Sequence, residues 1–220
     1  MTDLICFDCD GVLVDSEVLA TRTTVDCLAE LGIALSPAEA AALFTGKSAE
    51  AAHRALRDAC GIALPATYQA RFDRLLFRRF REELTPVPGI AELLARLHLP
   101  SCVTSNSGHA RLALALRLTG LAGHFGSRVF SAADVAHGKP APDLFHFAAG
   151  RLGADPRRCL VIDDSVSGIA GAVAAGARAI GFTGGSHSGP DHAARLRDAG
   201  AARVVGSAQE LTALLRVEAA

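Results

Sequence analysis

The chain lacks the features that would send it to a membrane or a nucleic acid. Among its 220 residues no apolar stretch approaches the roughly twenty uninterrupted positions that a membrane-spanning helix requires. The formal net charge is only −1 and no block of like charges occurs, which leaves no footing on nucleic acid or an anionic bilayer surface. The N-terminus carries Asp3 and Asp8 and no basic segment, so it does not read as a signal peptide and a cytoplasmic protein is expected. Lysine is almost missing: of 22 lysines and arginines, only Lys47 and Lys139 are lysines. Arginine evidently does not serve at those two places, where a compact point charge differs from a planar fork. A second cysteine pair is lacking as well. Cys6 and Cys9 have the C-x-x-C spacing, but Cys27, Cys60, Cys102 and Cys159 stand singly, so no zinc site is completed. Residues three apart on a strand also face opposite ways, so buried, reduced thiols are expected at Cys6 and Cys9.

What is present is organised around Leu4-Ile5-Cys6-Phe7-Asp8-Cys9-Asp10-Gly11. The four apolar residues read as a strand buried on both faces. The strand then stops on two aspartates one residue apart. Two carboxylates at the end of a buried strand repel each other and resist desolvation, and a divalent cation is the obvious compensation. The carboxyl ends of strands in open α/β sheets are also where ligands bind.

From Ser16 to Thr85 no convincing strand is found. Ser16 can cap a helix running to about Leu31, with Leu28 and Leu31 on one face and Gly32 as its stop. Ser36-Pro37-Ala38-Glu39 is a capping box opening a helix to about Phe44. Thr45-Gly46-Lys47 reads as a turn, after which Ser48 can cap a helix ending near Cys60-Gly61. Pro65 opens a longer helix with Tyr68, Phe72, Leu75, Leu76 and Phe80 at helical spacing, and with Arg71, Arg74, Arg78 and Arg81 as its solvated face. From Gly89 onward strands and helices alternate, which predicts a doubly wound parallel sheet. The fold class expected is therefore α/β: a Rossmann-like core from residues 1–14 and 86–220, with an all-helical insert over residues 15–85.

Three of the expected strands end on polar residues: Asp8 and Asp10, then Ser105 and Asn106, then Asp163 and Asp164. In a parallel sheet these ends share one edge. Four aspartates would crowd there, and some would have to hold protons at neutral pH unless a cation such as Mg²⁺ joins them, completed by waters and substrate phosphate oxygens. Lys139, just before a proline-bounded helix start, can place a positive charge beside the same edge. Taken singly, each has a plainer role: a turn cap for Asp10, a helix cap for Ser105 or Asn106, a surface charge for Lys139. His187 and His192 flank a glycine- and serine-rich stretch without a third ligand nearby and read as solvent-exposed loop residues.

The ordered set Asp8-x-Asp10-Gly11-Val12, Ser105-Asn106, Gly138-Lys139-Pro140-x-Pro142-Asp143 and Ile162-Asp163-Asp164-Ser165 resembles the haloacid dehalogenase superfamily. Gly11-Val12-Leu13-Val14-Asp15-Ser16-Glu17 is similar to its branch of phosphatases and β-phosphoglucomutases with a helical cap after the first strand. The resemblance spans nearly the whole chain. It implies Asp8 as nucleophile, forming an aspartyl-phosphate, and Asp10 as general acid and then base. It implies Mg²⁺ held by Asp8, the Asp10 backbone carbonyl and Asp164, with Asp163 acting through water or as an orienter. Ser105 and the Asn106 backbone N–H would bind phosphoryl oxygens, and Lys139 would neutralise transition-state charge. In the cap, Thr45, Gly46 and Lys47 would form the turn that dips into the site, with Lys47 meeting a second anionic group, while Asp15 would touch substrate or hold the hinge.

Mutase members carry a histidine and a basic residue where this chain has Ala20 and Ala49, and dehalogenase members lack the second aspartate. The implied activity is therefore a Mg²⁺-dependent phosphatase for a small phosphorylated metabolite, a sugar phosphate or sugar-acid phosphate. Phosphoryl transfer between sugar positions and a non-catalytic phosphate sensor stay open as alternatives. The expected state is a monomer or weak dimer.

Overall fold

The computed structural model describes residues 2–47 and 49–218, so the expected cap at Ser48 lies outside the described residues. Six parallel strands, β1 (Leu4–Phe7), β2 (Ser101–Ser105), β3 (Val129–Ser131), β4 (Cys159–Asp163), β5 (Arg178–Phe182) and β6 (Arg203–Val205), lie in the order β3-β2-β1-β4-β5-β6. The chain builds outward from β1 on one side and from β4 on the other. The crevice beyond the carboxyl ends of β1 and β4 is therefore the topological switch point, where open α/β sheets bind ligands.

The central strand shows why the sheet forms here. Its side chains alternate between two apolar layers: Ile5 and Phe7 join one, with Val103, Leu112 and Phe125, while Leu4 and Cys6 join the other, with Phe145, Val161 and Ile169. Phe7 meets Phe125 edge-on at 6.3 Å between centroids. Burying side chains of this size contributes about 1.5–3 kcal/mol each. Helices α5 (Ile90–Ala95), α6 (His109–Leu118), α7 (Ala122–Phe125) and α11 (Ala208–Glu218) supply the first layer, and α8 (Asp143–Leu152), α9 (Val166–Ala174) and α10 (His192–Asp198) the second. Cys6 and Cys9 fall in opposite layers, and all six cysteines are free.

Between β1 and α5 the described residues form only helices: α1 (Glu17–Ala29), α2 (Pro37–Phe44), α3 (Ala49–Cys60) and α4 (Tyr68–Glu83). The α2 capping box is formed, with Ser36 and Glu39 bonding each other's backbone N–H. Cys27, Leu28, Leu56 and Tyr68 make a small core of their own, while Leu76 and Phe80 of α4 join the first layer of the sheet. Arg71 of the expected solvated face bonds Glu30 at the end of α1. The chain leaves and re-enters the sheet region side by side: Asp15 N–H donates to Thr85 O and Val87 N–H to Leu13 O.

Two local expectations need correction. Leu31 does not share the buried face of Leu28; α1 stops at Ala29, Gly32 turns the chain, and Leu31 is 44% exposed. Ser16 precedes α1 but makes no cap hydrogen bond, because Asp10 claims its hydroxyl.

Candidate active site

Asp8 directly continues β1: its N–H donates to Ile162 O of β4, and its side chain is nearly sealed. Asp163 ends β4 and Asp164 follows it. One carboxylate oxygen from each of Asp8, Asp163 and Asp164 lies within 4.8 Å of the others, and all three residues are buried. Among them stands Lys139, whose ammonium donates to Asp8 Oδ1 at 2.7 Å, Asp163 Oδ2 at 2.7 Å and Thr104 O at 2.8 Å. Burial opposes its charge, but Asp163 and Asp8 outweigh burial and raise its proton affinity. Burial pushes the Asp8 carboxyl well up; Lys139 opposes this, while Asp163, Asp164 and Asp10 reinforce it by like charge.

Asp10 is pulled the other way. Its carboxylate accepts from the Ser16 hydroxyl (2.5 Å), the Arg111 guanidinium (2.6 Å) and the Ser107 hydroxyl (2.6 Å). Burial alone would raise its pKa, but Arg111 and the two hydroxyls more than offset burial and lower it. Next to it Glu17, buried at the start of α1, is raised to about 7 by burial and then by the negative charge of Asp10.

Ser105 is buried, and its Oγ accepts from Ser107 N–H at 3.1 Å. Asn106 turns its amide to the backbone of Lys139, donating to its carbonyl and accepting from its N–H. Asp163 Oδ1 accepts from the Ser165 N–H and hydroxyl, and Ser165 caps α9 as expected.

Above this edge lies a cavity of about 430 Å³, walled by the sheet edge and by α1, α3 and α4. Thr45, Gly46 and Lys47 line it. Gly46 seats their turn on the start of α9: its carbonyl accepts from Ser167 Oγ at 2.7 Å, and a Cβ at this left-handed position would stand 2.7 Å from that of Ser165. Lys47 differs from the sequence reading, and of the two roles offered for Asp15 it is contact with substrate that the geometry does not provide. Lys47 does not offer its ammonium to the cavity, because the exposed carbonyls of Ala42 and Leu43 at the end of α2 hold it at 3.0 and 2.8 Å. Asp15 does not line the cavity; Ser186 N–H and Oγ bind its carboxylate, which ties the exit from β1 to the glycine-rich loop.

That loop supplies a further correction. His187 and His192 are not solvent-exposed: His187 Nε2 lies 2.9 Å from Asp164 Oδ2, and His192 is buried with Nε2 2.5 Å from Asp164 O. Gly11 makes the approach possible, since a Cβ there would meet Asp164 Oδ2 at 2.0 Å and His187 Cε1 at 2.8 Å. Sequence reasoning also missed Ser107 and Arg111. Arg111 lies three and four residues before the buried Leu114 and Ala115, on the same side of α6, a signal that could have found it.

Comparison with known proteins gives one consistent result. The family model described as haloacid dehalogenase-like hydrolase matches residues 2–176. The 6-phosphogluconate phosphatase of Escherichia coli is 31% identical over 86% of each chain. Hexitol phosphatase A of the same organism is 33% identical over 79% of this chain and 80% of its own. The crystal structure of a haloacid dehalogenase-like protein from Agrobacterium tumefaciens superposes with a TM-score of 0.86 at 40% identity over the full length of both. The chain belongs to the haloacid dehalogenase-like hydrolases, in the branch with a helical cap, and is a phosphoric monoester hydrolase.

Proposed function

We propose that this enzyme is a Mg²⁺-dependent phosphatase that hydrolyses a small phosphorylated metabolite, a sugar phosphate or sugar-acid phosphate, through an acyl phosphate on Asp8. The reading rests on the gathering of Asp8, Asp163, Asp164 and Lys139 at one strand edge beneath a cavity walled by the helical segment. Three buried carboxylates face a single ammonium, and the surplus negative charge on an all-oxygen donor set fits a hard divalent cation. Asp8 and Asp164 would hold the ion together with the Asp10 backbone carbonyl, and Asp163 would orient Lys139 or act through water. Once bound, Mg²⁺ screens the repulsion between the carboxylate and the anionic phosphoryl group.

The protein's own groups do the rest. An Asp8 carboxylate oxygen bonds to phosphorus as the ester P–O bond breaks, and Asp10 gives its proton to the departing alkoxide. Asp10 then takes a proton from water as the water oxygen bonds to phosphorus. The P–O bond to Asp8 breaks, and inorganic phosphate leaves. Lys139, Ser105 and the Asn106 N–H hold the phosphoryl oxygens. The three donors around Asp10 favour its ionised form, which suits the second step. For the first, Asp10 must take up a proton and let a donor go. Ser16, immediately before α1, is the donor attached to the helical segment.

That segment, residues 15–85, acts as a cap on the core of residues 1–14 and 86–220, closing to exclude water and choosing the leaving group. Ala20 in the cavity wall, where mutases carry a histidine, favours hydrolysis over transfer between sugar positions. The test is phosphate release from an aryl phosphate and a panel of phosphorylated metabolites, with and without Mg²⁺. Release should require the ion, and Asp8→Asn, folded by circular dichroism, should lose at least ~10⁴-fold in kcat. Wild-type turnover by Asp8→Asn would rule out the covalent route.

A further inference from the structure

The two ends of the cavity differ in charge. Among the described residues lining it, five side chains are cationic or can become so: Lys139, Arg111, Lys47, His53 and His109. None is left unengaged to pair with an anion on a leaving group. Lys139 is held by Asp8 and Asp163. Arg111 is held by Asp10; its unpartnered Nε is sealed from solvent, and its guanidinium carbon lies 5.6 Å from the Phe80 ring centroid. Lys47 is held by two helix-end carbonyls, and His109 bonds Asp134 at 2.8 Å. His53 packs edge-on against Tyr68 at 5.4 Å, and burial lowers its pKa, which keeps it neutral at pH 7.

The same wall carries negative and uncharged polar groups instead. Asp73, bonded by Gln69 at 2.9 Å, and the buried Glu17 both line it. A carboxylate or second phosphate brought there would meet the Asp73 carboxylate and the ionised fraction of Glu17, with no free cation to pair it. Tyr68, the chain's one tyrosine, lines the cavity but is only 4% exposed, and its hydroxyl is sealed from solvent beside Thr24. Thr21 and Thr24 on α1 line the cavity as well.

We infer that the cap selects monophosphates of uncharged polyhydroxy alcohols, whose hydroxyls meet the Gln69 amide and the Thr21 and Thr24 side chains, and that it rejects phosphorylated acids and bisphosphates. This narrows the phosphatase reading above and depends on it.

The test uses pairs of substrates that differ only in an alcohol against a carboxylate: hexitol 6-phosphate against 6-phosphogluconate, and glycerol 3-phosphate against 3-phosphoglycerate, with an aryl phosphate as reference. The alcohol of each pair should have the higher kcat/KM, by about tenfold or more for the six-carbon pair. Thr21→Val should raise KM for the hexitol phosphate by about fivefold, a larger loss than on the aryl phosphate. Asp73→Asn should narrow the gap by raising the rate on the acid. Equal or faster turnover of the acids overturns the inference, as does aryl phosphate hydrolysis with no turnover of either pair. Absence of turnover on every compound, the aryl phosphate included, instead overturns the phosphatase reading and the selectivity with it.

Discussion

The sheet edge and the cap wall bound one cavity but solve opposite problems. At the edge, charge is concentrated and fully engaged: Lys139 has three partners, the Asp10 carboxylate has three donors, and Asp163 accepts from Lys139 and Ser165. At the cap wall charge is sparse, and the uncharged side chains of Thr21, Thr24 and Gln69 line the cavity. The edge is built to hold one group, a phosphoryl, the same way each time. The wall is built to choose what that group is attached to. If the contrast is right, changes at the edge should cost stability and chemistry together, whereas changes at the wall should move substrate preference with little effect on folding.

The largest expected effect comes from removing the ammonium. Lys139→Ala leaves Asp8 and Asp163 buried with no cation, and breaking a buried pair in this way costs about 3–5 kcal/mol. Urea unfolding of metal-free protein measures it. Added Mg²⁺ should recover part of the loss by binding the folded state. A loss under ~1 kcal/mol would mean that the edge is not held by paired charge.

Glu17 sharpens the comparison because it lies between the two regions. Its folded pKa of about 7 stands above the ordinary 4.5, owing to burial and then to Asp10. The folded protein therefore binds this proton more tightly than the unfolded chain does. The stabilisation is full below about pH 4.5 and is lost as the pH rises through about 7. At about 1.4 kcal/mol per pKa unit, the loss is on the order of 3 kcal/mol. In metal-free protein the stability of Glu17→Gln relative to wild type should rise across that window and level off above it. A difference that does not change with pH would place Glu17 in a wetter setting than its burial indicates.

How legible the molecule is in its sequence follows the same division. β1 and β4 announce themselves as apolar runs that end in aspartates, and parallel pairing brings Asp8, Asp163 and Asp164 together with no further information needed. Lys139 stands out because lysine is so rare. The partners of Asp10 do not stand out: Ser107 and Arg111 lie beyond a strand end, and only the docking of α6 aims them inward. His187 and His192 were hidden by their own loop. Glycine and serine suggest exposure, and nothing local reveals that Gly11 lacks the Cβ that would keep the loop off Asp164. The cap wall is the least legible part. Tyr68 and Phe72 have the spacing of core residues, and they are core residues; that both also line a cavity depends on how α1, α3 and α4 pack.

Lys47 gives the smallest effect and the sharpest test of the wall. By sequence it is the natural partner for a second anion; by geometry it closes the C-terminal end of α2. A lysine bonded to exposed helix-end carbonyls contributes about 0.5–1 kcal/mol through those bonds and the helix dipole. Lys47→Met should therefore lower stability by about that amount and leave KM for both hexitol 6-phosphate and 6-phosphogluconate within about twofold. If the acid alone loses affinity by tenfold or more, the ammonium does leave Ala42 and Leu43 to meet an anion when substrate enters. The cap wall would then be charged in use, and its contrast with the sheet edge would vanish.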